Sequence, residues 1–169
     1  ILYQYYPIFS SKIRRVIKGN GNTSTDVLFD TSLNTHNMGD HIIMENCEKH
    51  LKGIIDFDTV SRVTTHTIPE DTDACKGNKK ILCGTNIMSC NMRKYGRWKL
   101  PRNLESYSDI ILMGVGFDSY NMKSDLYTRL LLRLILSSTK YHSVRDSFAE
   151  TAMKSMGFNN VLNTGCPTM

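Results

Sequence analysis

Residues 26–53, DVLFDTSLNTHNMGDHIIMENCEKHLKG, decide the fold class because they join a strand pattern to a helix pattern through a polar turn. The apolar and β-branched segment 26–32 predicts a strand. Segment 40–53 predicts a helix, since one of its faces collects apolar residues at helical spacing: Ile43, Met44, Cys47 and Leu51. Gly53 fits the C-terminal stop of that helix.

The same alternation of strand and helix patterns continues to the end of the chain. Strand patterns occupy residues 59–66, 79–85, 108–117, 140–146 and 159–165, and helix patterns occupy residues 124–139 and 146–157. Several strands are apolar on both faces, which is typical of a parallel sheet covered by helices. We therefore predict one α/β domain over residues 25–169, a three-layer Rossmann-like domain with a mostly parallel sheet. Residues 1–24 are predicted to form an irregular leading segment that ends in a flexible connector.

Composition narrows the classes of function. The net charge of +5 favours anionic ligands, but the basic residues are scattered along the chain, so we expect no nucleic-acid partner. Five cysteines without C-x-x-C spacing indicate a reducing, cytoplasmic environment and no structural zinc site. No apolar run approaches the roughly 18 residues that span a bilayer. Association with a membrane surface and assembly into a homo-oligomer stay open.

Polar residues crowd the turn between the first predicted strand and helix, and ligands of doubly wound sheets bind at such strand ends. Asn37 or Asp40 can cap the helix, and Gly39 permits a tight or left-handed backbone. Capping accounts for one of these residues. The alternative is a polar pocket floor at a helix N-terminus, built together with Asn34 and His36.

Two further predicted strands end in glycine. Gly84 is followed by Thr85 and Asn86, and another strand ends with Gly114 and Gly116. The backbone at these glycines is either crowded or close to a ligand. Neither turn contains G-x-G-x-x-G, and the chain has no P-loop, so a nicotinamide or flavin cofactor is disfavoured.

A fourth turn, HSVRDSFAE, precedes the last predicted helix. Ser143 and Asp146 can cap this helix. Arg145 either pairs with Asp146 or Glu150 on the surface, or it binds a phosphate or carboxylate with its planar guanidinium.

Four stretches together resemble the polysaccharide pyruvyl transferase family: NMGDHII, ILCGTNIM, IILMGVGF and HSVRDSFAETAMKSMGFNNVLNTGCPTM. The last stretch is the most specific, through its Arg-Asp turn, helix, glycine and following strand. The resemblance covers residues 26–169 and implies one half of a two-domain fold like that of the GT-B glycosyltransferases. The chain resembles the N-terminal half, so the C-terminal domain of such an enzyme is expected to be missing from it.

The resemblance implies a transferase of exopolysaccharide or cell-wall biosynthesis, which moves a pyruvyl group from phosphoenolpyruvate to a sugar as a cyclic ketal. The implied partners are a glycan acceptor and phosphoenolpyruvate as co-substrate, with no other cofactor and no metal. By analogy with GT-B enzymes, this half holds the acceptor, and alone it is expected to be inactive. A non-catalytic binding or assembly module and half of a nucleotide-sugar glycosyltransferase stay open as alternatives.

The resemblance and the strand-end rule together give a predicted site. Asp40 or His41 is expected to act as the catalytic base. The expected substrate-binding residues are Asn37, Gly39, Gly84, Thr85, Asn86, Gly114, Gly116, Ser143 and Arg145. We expect them to lie along one edge of the sheet, with Asp40 and Arg145 exposed to a solvent-reachable pocket.

Overall fold

Strands and helices alternate in a computed structural model, which describes residues 5–18 and 25–169. The helices are α1 (Tyr6–Lys18), α2 (Met38–Leu51), α3 (Met92–Tyr95), α4 (Leu126–Ile135) and α5 (Ser147–Ser155). The strands are β1 (Val27–Asp30), β2 (Ser61–Thr64), β3 (Lys80–Cys83), β4 (Asn86–Met88), β5 (Ile110–Met113), β6 (Gly116–Phe117), β7 (His142–Val144) and β8 (Val161–Asn163). A short 3₁₀ turn, Asp73–Cys75, lies between β2 and β3.

The central sheet has the strand order β2-β1-β3-β5, and every pair in it is parallel. Beyond the kinks that end β3 and β5, β4 pairs with β6. The parallel pair β7 and β8 adjoins this sheet through a parallel bridge between Val115 and Val144. The prediction of an α/β domain with a mostly parallel, Rossmann-like sheet is confirmed.

Helices cover both faces of the sheet, because alternate strand residues point to opposite sides. On one face, Leu28 and Ile81 pack with α2 through Met44 and Cys47. On the other face, α4 and α5 bury apolar side chains in the cluster that contains Phe29: Leu131, Leu132, Ile135, Ala149, Ala152 and Met153. Burial of a side chain as large as leucine contributes about 1.5–3 kcal/mol, so these two clusters hold the layers together.

A glycine kink divides one of the predicted strands. Residues 108–117 form β5 and β6 rather than one strand, because Gly114 between them has a φ of 62°. A Cβ at Gly114 would lie 2.3 Å from Cγ of Pro167. The kink therefore needs glycine both for its backbone conformation and for space.

The leading segment differs from the prediction. It is not irregular throughout, since Tyr6–Lys18 form α1. This helix is stabilised by tertiary packing: Ile8 is buried, the ring of Tyr5 lies 6.0 Å from that of Tyr127, and buried Ser11 Oγ accepts a hydrogen bond from Leu104 N (3.1 Å). The predicted flexible connector falls almost entirely on residues 19–24, outside the described residues.

Candidate functional site

β1 is the strand at which the order of the sheet reverses. The chain leaves β1 through α2 to reach β2 on one side, and then crosses to β3 on the other side. In open parallel sheets, ligands bind in the crevice outside the carboxyl ends of the strands at this reversal. The turns after β1 and β3 therefore frame the candidate site.

Asp40, in the first turn of α2, joins these two turns. Its Oδ1 accepts a hydrogen bond from Thr85 Oγ1 (2.9 Å), and its Oδ2 accepts one from Thr35 Oγ1 (3.2 Å). Asp40 is only 3% exposed. The prediction that it is exposed to a pocket is therefore wrong, because its carboxylate is turned into the protein, where it ties the start of α2 to the end of β3.

The other residues of the first turn take simpler positions. Asn37 is the N-cap of α2, and its Oδ1 accepts a hydrogen bond from Gly39 N (3.0 Å). Gly39 is helical and has no left-handed conformation. His41 is exposed in the first turn of the same helix. The polar turn thus consists of one cap, one buried carboxylate and exposed side chains around them.

His66, which follows β2, is a site residue that the sequence analysis did not select. Its Nε2 lies 2.9 Å from the carbonyl oxygen of Thr31 and 3.5 Å from Asp40 Oδ2. Because a carbonyl oxygen only accepts, Nε2 carries a proton, and Nδ1 is the acceptor of the neutral ring. The strand-end rule that selected the other turns would also have found His66.

Arg145 lies at the far end of the same edge. Its Nη1 donates to Asn86 Oδ1 (3.1 Å), and its side chain is 33% exposed. Asp146 approaches Nε only to 3.9 Å and caps α5. Glu150 pairs with Lys154 instead of Arg145. The guanidinium therefore has donors beyond the one that binds Asn86, and it reaches solvent.

The glycines of this region pack against protein atoms. A Cβ at Gly116 would lie 2.3 Å from Asn86 Oδ1 and 2.4 Å from Arg145 Cδ. A Cβ at Gly84 would lie 2.3 Å from the carbonyl oxygen of Gly114. Of the two interpretations left open for these turns, crowding by the chain itself explains the glycines.

Most of the predicted substrate-binding residues come together in one network. Gly116 N donates to the carbonyl oxygen of Thr85 (2.9 Å), which links the Asp40 region to the Arg145 region. Ser143 Oγ accepts from Gly114 N (2.9 Å) and contacts Thr164 Oγ1. Their roles in binding a substrate stay predictions.

The edge has two sides with different chemistry. We call residues 31–40 and 64–70 the β1–β2 side, and residues 84–86, 114–116 and 143–145 the β3–β7 side. The β1–β2 side contains a cavity of about 710 Å³ lined by Asn34, Thr35, His36, Thr64, Thr67, Ile68, Pro69 and Glu70. Neither Asp40 nor Arg145 lines this cavity, contrary to the expected pocket.

A cluster of three charged side chains, of which only Asp30 is fully buried, lies under the β1–β2 side. Arg62 Nη1 donates to Glu48 Oε1 (2.6 Å) and to Oδ2 of the fully buried Asp30 (2.9 Å). The hydrogen bond to Glu48, with that to Asp30, raises the pKa of Arg62. Asp30 also accepts from the backbone and hydroxyl of Ser32, so it anchors the end of β1.

Some other kinds of site can be checked within residues 5–18 and 25–169. No three His, Cys, Asp or Glu side chains in these residues gather as a metal site requires, and the absence of a metal stays a prediction from the sequence. No helix in these residues combines the length and the apolar character that crossing a bilayer demands.

The reversal at β1 and the polar, partly cationic edge define a doubly wound α/β domain with a candidate ligand site at its strand ends. A family model described as polysaccharide pyruvyl transferase matches residues 37–169, which is most of the chain. The chain therefore belongs to the polysaccharide pyruvyl transferase family. The matched residues include every predicted substrate-binding residue. No curated protein and no solved structure matches the chain.

Proposed function

We propose that the chain forms the acceptor-side domain of an enzyme that transfers a pyruvyl group from phosphoenolpyruvate to a sugar of a polysaccharide. The family match over residues 37–169 carries this proposal. The five cysteines are free thiols, which fits an enzyme that works in the reducing cytoplasm.

The proposed reaction joins two sugar hydroxyls to one carbon. The first hydroxyl adds to C2 of phosphoenolpyruvate while C3 gains a proton and becomes a methyl group. The second hydroxyl then displaces phosphate from C2 and closes the cyclic ketal. A base takes both hydroxyl protons. One is balanced by the proton that C3 gains, and the other leaves with phosphate. The site must therefore supply proton transfer and stabilise the anionic groups of phosphoenolpyruvate.

Arg145 is the group that we assign to the anionic substrate. A guanidinium binds carboxylate or phosphate through two parallel hydrogen bonds. Asn86 fixes one N–H of Arg145, and Gly116 leaves the space across which its side chain lies. The exposed remainder of the guanidinium is then oriented before the substrate arrives.

The base is assigned to an imidazole. Both carboxylate oxygens of the buried Asp40 accept hydrogen bonds from threonine hydroxyls. Within this proposal Asp40 is therefore a positioning residue for His66. Either His66 or the exposed His41 takes the sugar proton. His66→Gln and His41→Gln separate these candidates, because loss of the base removes the acid limb of the pH dependence of kcat/KM.

The proposal is tested by expressing the whole reading frame that encodes this chain. Incubation with phosphoenolpyruvate and a panel of glycans should release inorganic phosphate and add a ketal to one glycan. Release of a nucleotide from nucleotide sugars instead would identify a glycosyltransferase. Absence of both products across a broad panel would favour a binding or assembly module.

A further inference from the structure

The cavity on the β1–β2 side has the size of a small-molecule site. Its volume of about 710 Å³ lies within the range of about 300–1,000 Å³ typical of ligand pockets. It opens at the carboxyl ends of β1 and β2, where parallel sheets bind ligands. None of the residues proposed above to carry the reaction lines it.

The lining of the cavity indicates a neutral ligand rich in hydroxyl groups. Three threonines, one amide and one imidazole supply both donors and acceptors, and Glu70 adds a carboxylate. Among the described residues that line the cavity, none is Lys or Arg, so nothing there compensates an anion. Ile68 and Pro69 add an apolar surface that suits the C–H face of a pyranose ring.

Two hydrogen bonds hold the walls of the cavity together. Asn34 Nδ2 donates to Thr67 Oγ1 (3.0 Å), and Thr64 Oγ1 donates to the carbonyl oxygen of Leu33 (3.3 Å). Asn34 has a φ of 59°, a left-handed conformation that asparagine tolerates better than most residues. The two loops are thus joined before any ligand binds, which lowers the entropic cost of binding.

One wall of the cavity is connected to the proposed reaction site. Thr35 lines the cavity and also donates to Asp40, whose other oxygen binds Thr85 on the far side. A sugar in the cavity would therefore lie next to the imidazole that Asp40 positions. We propose that this cavity binds the neutral acceptor saccharide, an inference that rests on the proposed function for the identity of its ligand as an acceptor.

The experiment measures saccharide binding without phosphoenolpyruvate. Saturation-transfer NMR with methyl glycosides of glucose, galactose, mannose and N-acetylglucosamine should show transfer to at least one of them, and inorganic phosphate should not compete. Glu70→Gln, at an exposed position, should weaken this binding about tenfold, because it replaces a hydrogen bond to a charged carboxylate by a weaker one to a neutral amide. Glu45→Gln, an exposed substitution on α2 outside the cavity, should leave binding unchanged.

Three results would overturn the inference: no transfer to any glycoside, competition by phosphate, or equal binding by Glu70→Gln and Glu45→Gln. These outcomes are separate from those of the proposed function. Phosphate release with an acceptor KM that is unchanged in Glu70→Gln would contradict the saccharide site in this cavity and support the pyruvyl transferase. Glycoside binding that depends on Glu70, combined with nucleotide release, would support the saccharide site and contradict the pyruvyl transferase.

Discussion

The two sides of the sheet edge begin from similar turns, yet they satisfy their polar groups differently. On the β1–β2 side, the charged Asp40 is buried and its hydrogen bonds are internal, while hydroxyls and an amide line an open cavity. On the β3–β7 side, glycines are packed against neighbouring chain, and the charged Arg145 is partly exposed. The charge of Asp40 is therefore structural, whereas the charge of Arg145 is available to a ligand.

The largest expected effect comes from a glycine of the β3–β7 side. Gly84→Ala on the β3–β7 side places a Cβ 2.3 Å from a backbone oxygen, so β3 or β5 must shift. We expect a loss of about 2–3 kcal/mol in the free energy of unfolding, as for other overpacked positions. Urea unfolding measures this loss.

Gly39→Ala on the β1–β2 side is the matched control. Its Cβ would lie no closer than 3.2 Å to another side chain, that of Asn37, and alanine favours the helix. We expect its stability to equal or exceed that of the unaltered protein. Equal losses of stability in Gly39→Ala and Gly84→Ala would show that the glycines of the two sides do not differ in packing.

Asp40→Ala should lower stability by a slightly smaller amount. It leaves the half-buried hydroxyls of Thr35 and Thr85 without their acceptor, which costs about 2 kcal/mol. Asp40→Asn keeps one oxygen acceptor and should cost less. Thermal unfolding of both variants decides the matter, and an unchanged Tm in Asp40→Ala would show that the carboxylate is not a structural link.

Arg145→Ala should show the opposite pattern, because the side chain is 33% exposed and its side-chain hydrogen bond is with Asn86. We expect turnover to fall at least tenfold, about 1.4 kcal/mol of barrier, with little change in Tm. Arg145→Lys keeps the charge without the planar fork and should recover only part of the activity. Arg129→Ala, at an exposed position of α4, should behave like the unaltered protein in both assays.

The smallest effect is a pH dependence under the β3–β7 side. Buried His142 accepts a hydrogen bond at Nδ1 from Leu112 N (3.2 Å), so its Nε2 donates to the carbonyl oxygen of Ser137 (2.9 Å). Burial lowers the pKa of His142 below its ordinary value of 6.5. On acidification the unfolded chain therefore takes up the proton first.

This order of protonation fixes the sign of the effect. The contribution of His142 is constant above pH 6.5, and stability falls as the pH drops through 6.5 towards the pKa of the folded state. Chemical unfolding across this range should show a shallower slope in His142→Gln. His36→Gln, which removes an exposed histidine of the β1–β2 side, should leave the slope as it was.

Local features of the fold were predictable because they depend on neighbours in sequence. Asn37 caps α2 as the turn pattern indicated, and Gly53 and Gly157 end helices with φ values of 83° and 95°. Residues 1–24 show the limit of this reasoning: the start of the chain resembles an irregular segment, and α1 is stabilised by contacts with residues about a hundred positions away, such as Leu104.

The candidate site divides in the same way. The strand-end rule placed Thr85, Asn86, Gly116 and Arg145 at one edge, and the structure brings them into contact. The strand-end rule could not reveal that Asp40 is buried, since the two hydrogen-bond partners of Asp40 come from different turns. Nor could it reveal the cavity, whose walls are joined by Asn34 and Thr67 across the ends of β1 and β2.

The sequence by itself determined the alternation of strands and helices, the parallel sheet, the edge at which polar residues gather and the resemblance to a family. These follow from periodicity, capping and turn chemistry, which act over a few residues. Only the tertiary structure decided which charge is enclosed and which meets solvent, because burial depends on side chains that arrive from distant segments. Asp40 and Thr85, which are hydrogen-bonded, lie 45 residues apart in the sequence, and Arg145 and Asn86 lie 59 residues apart.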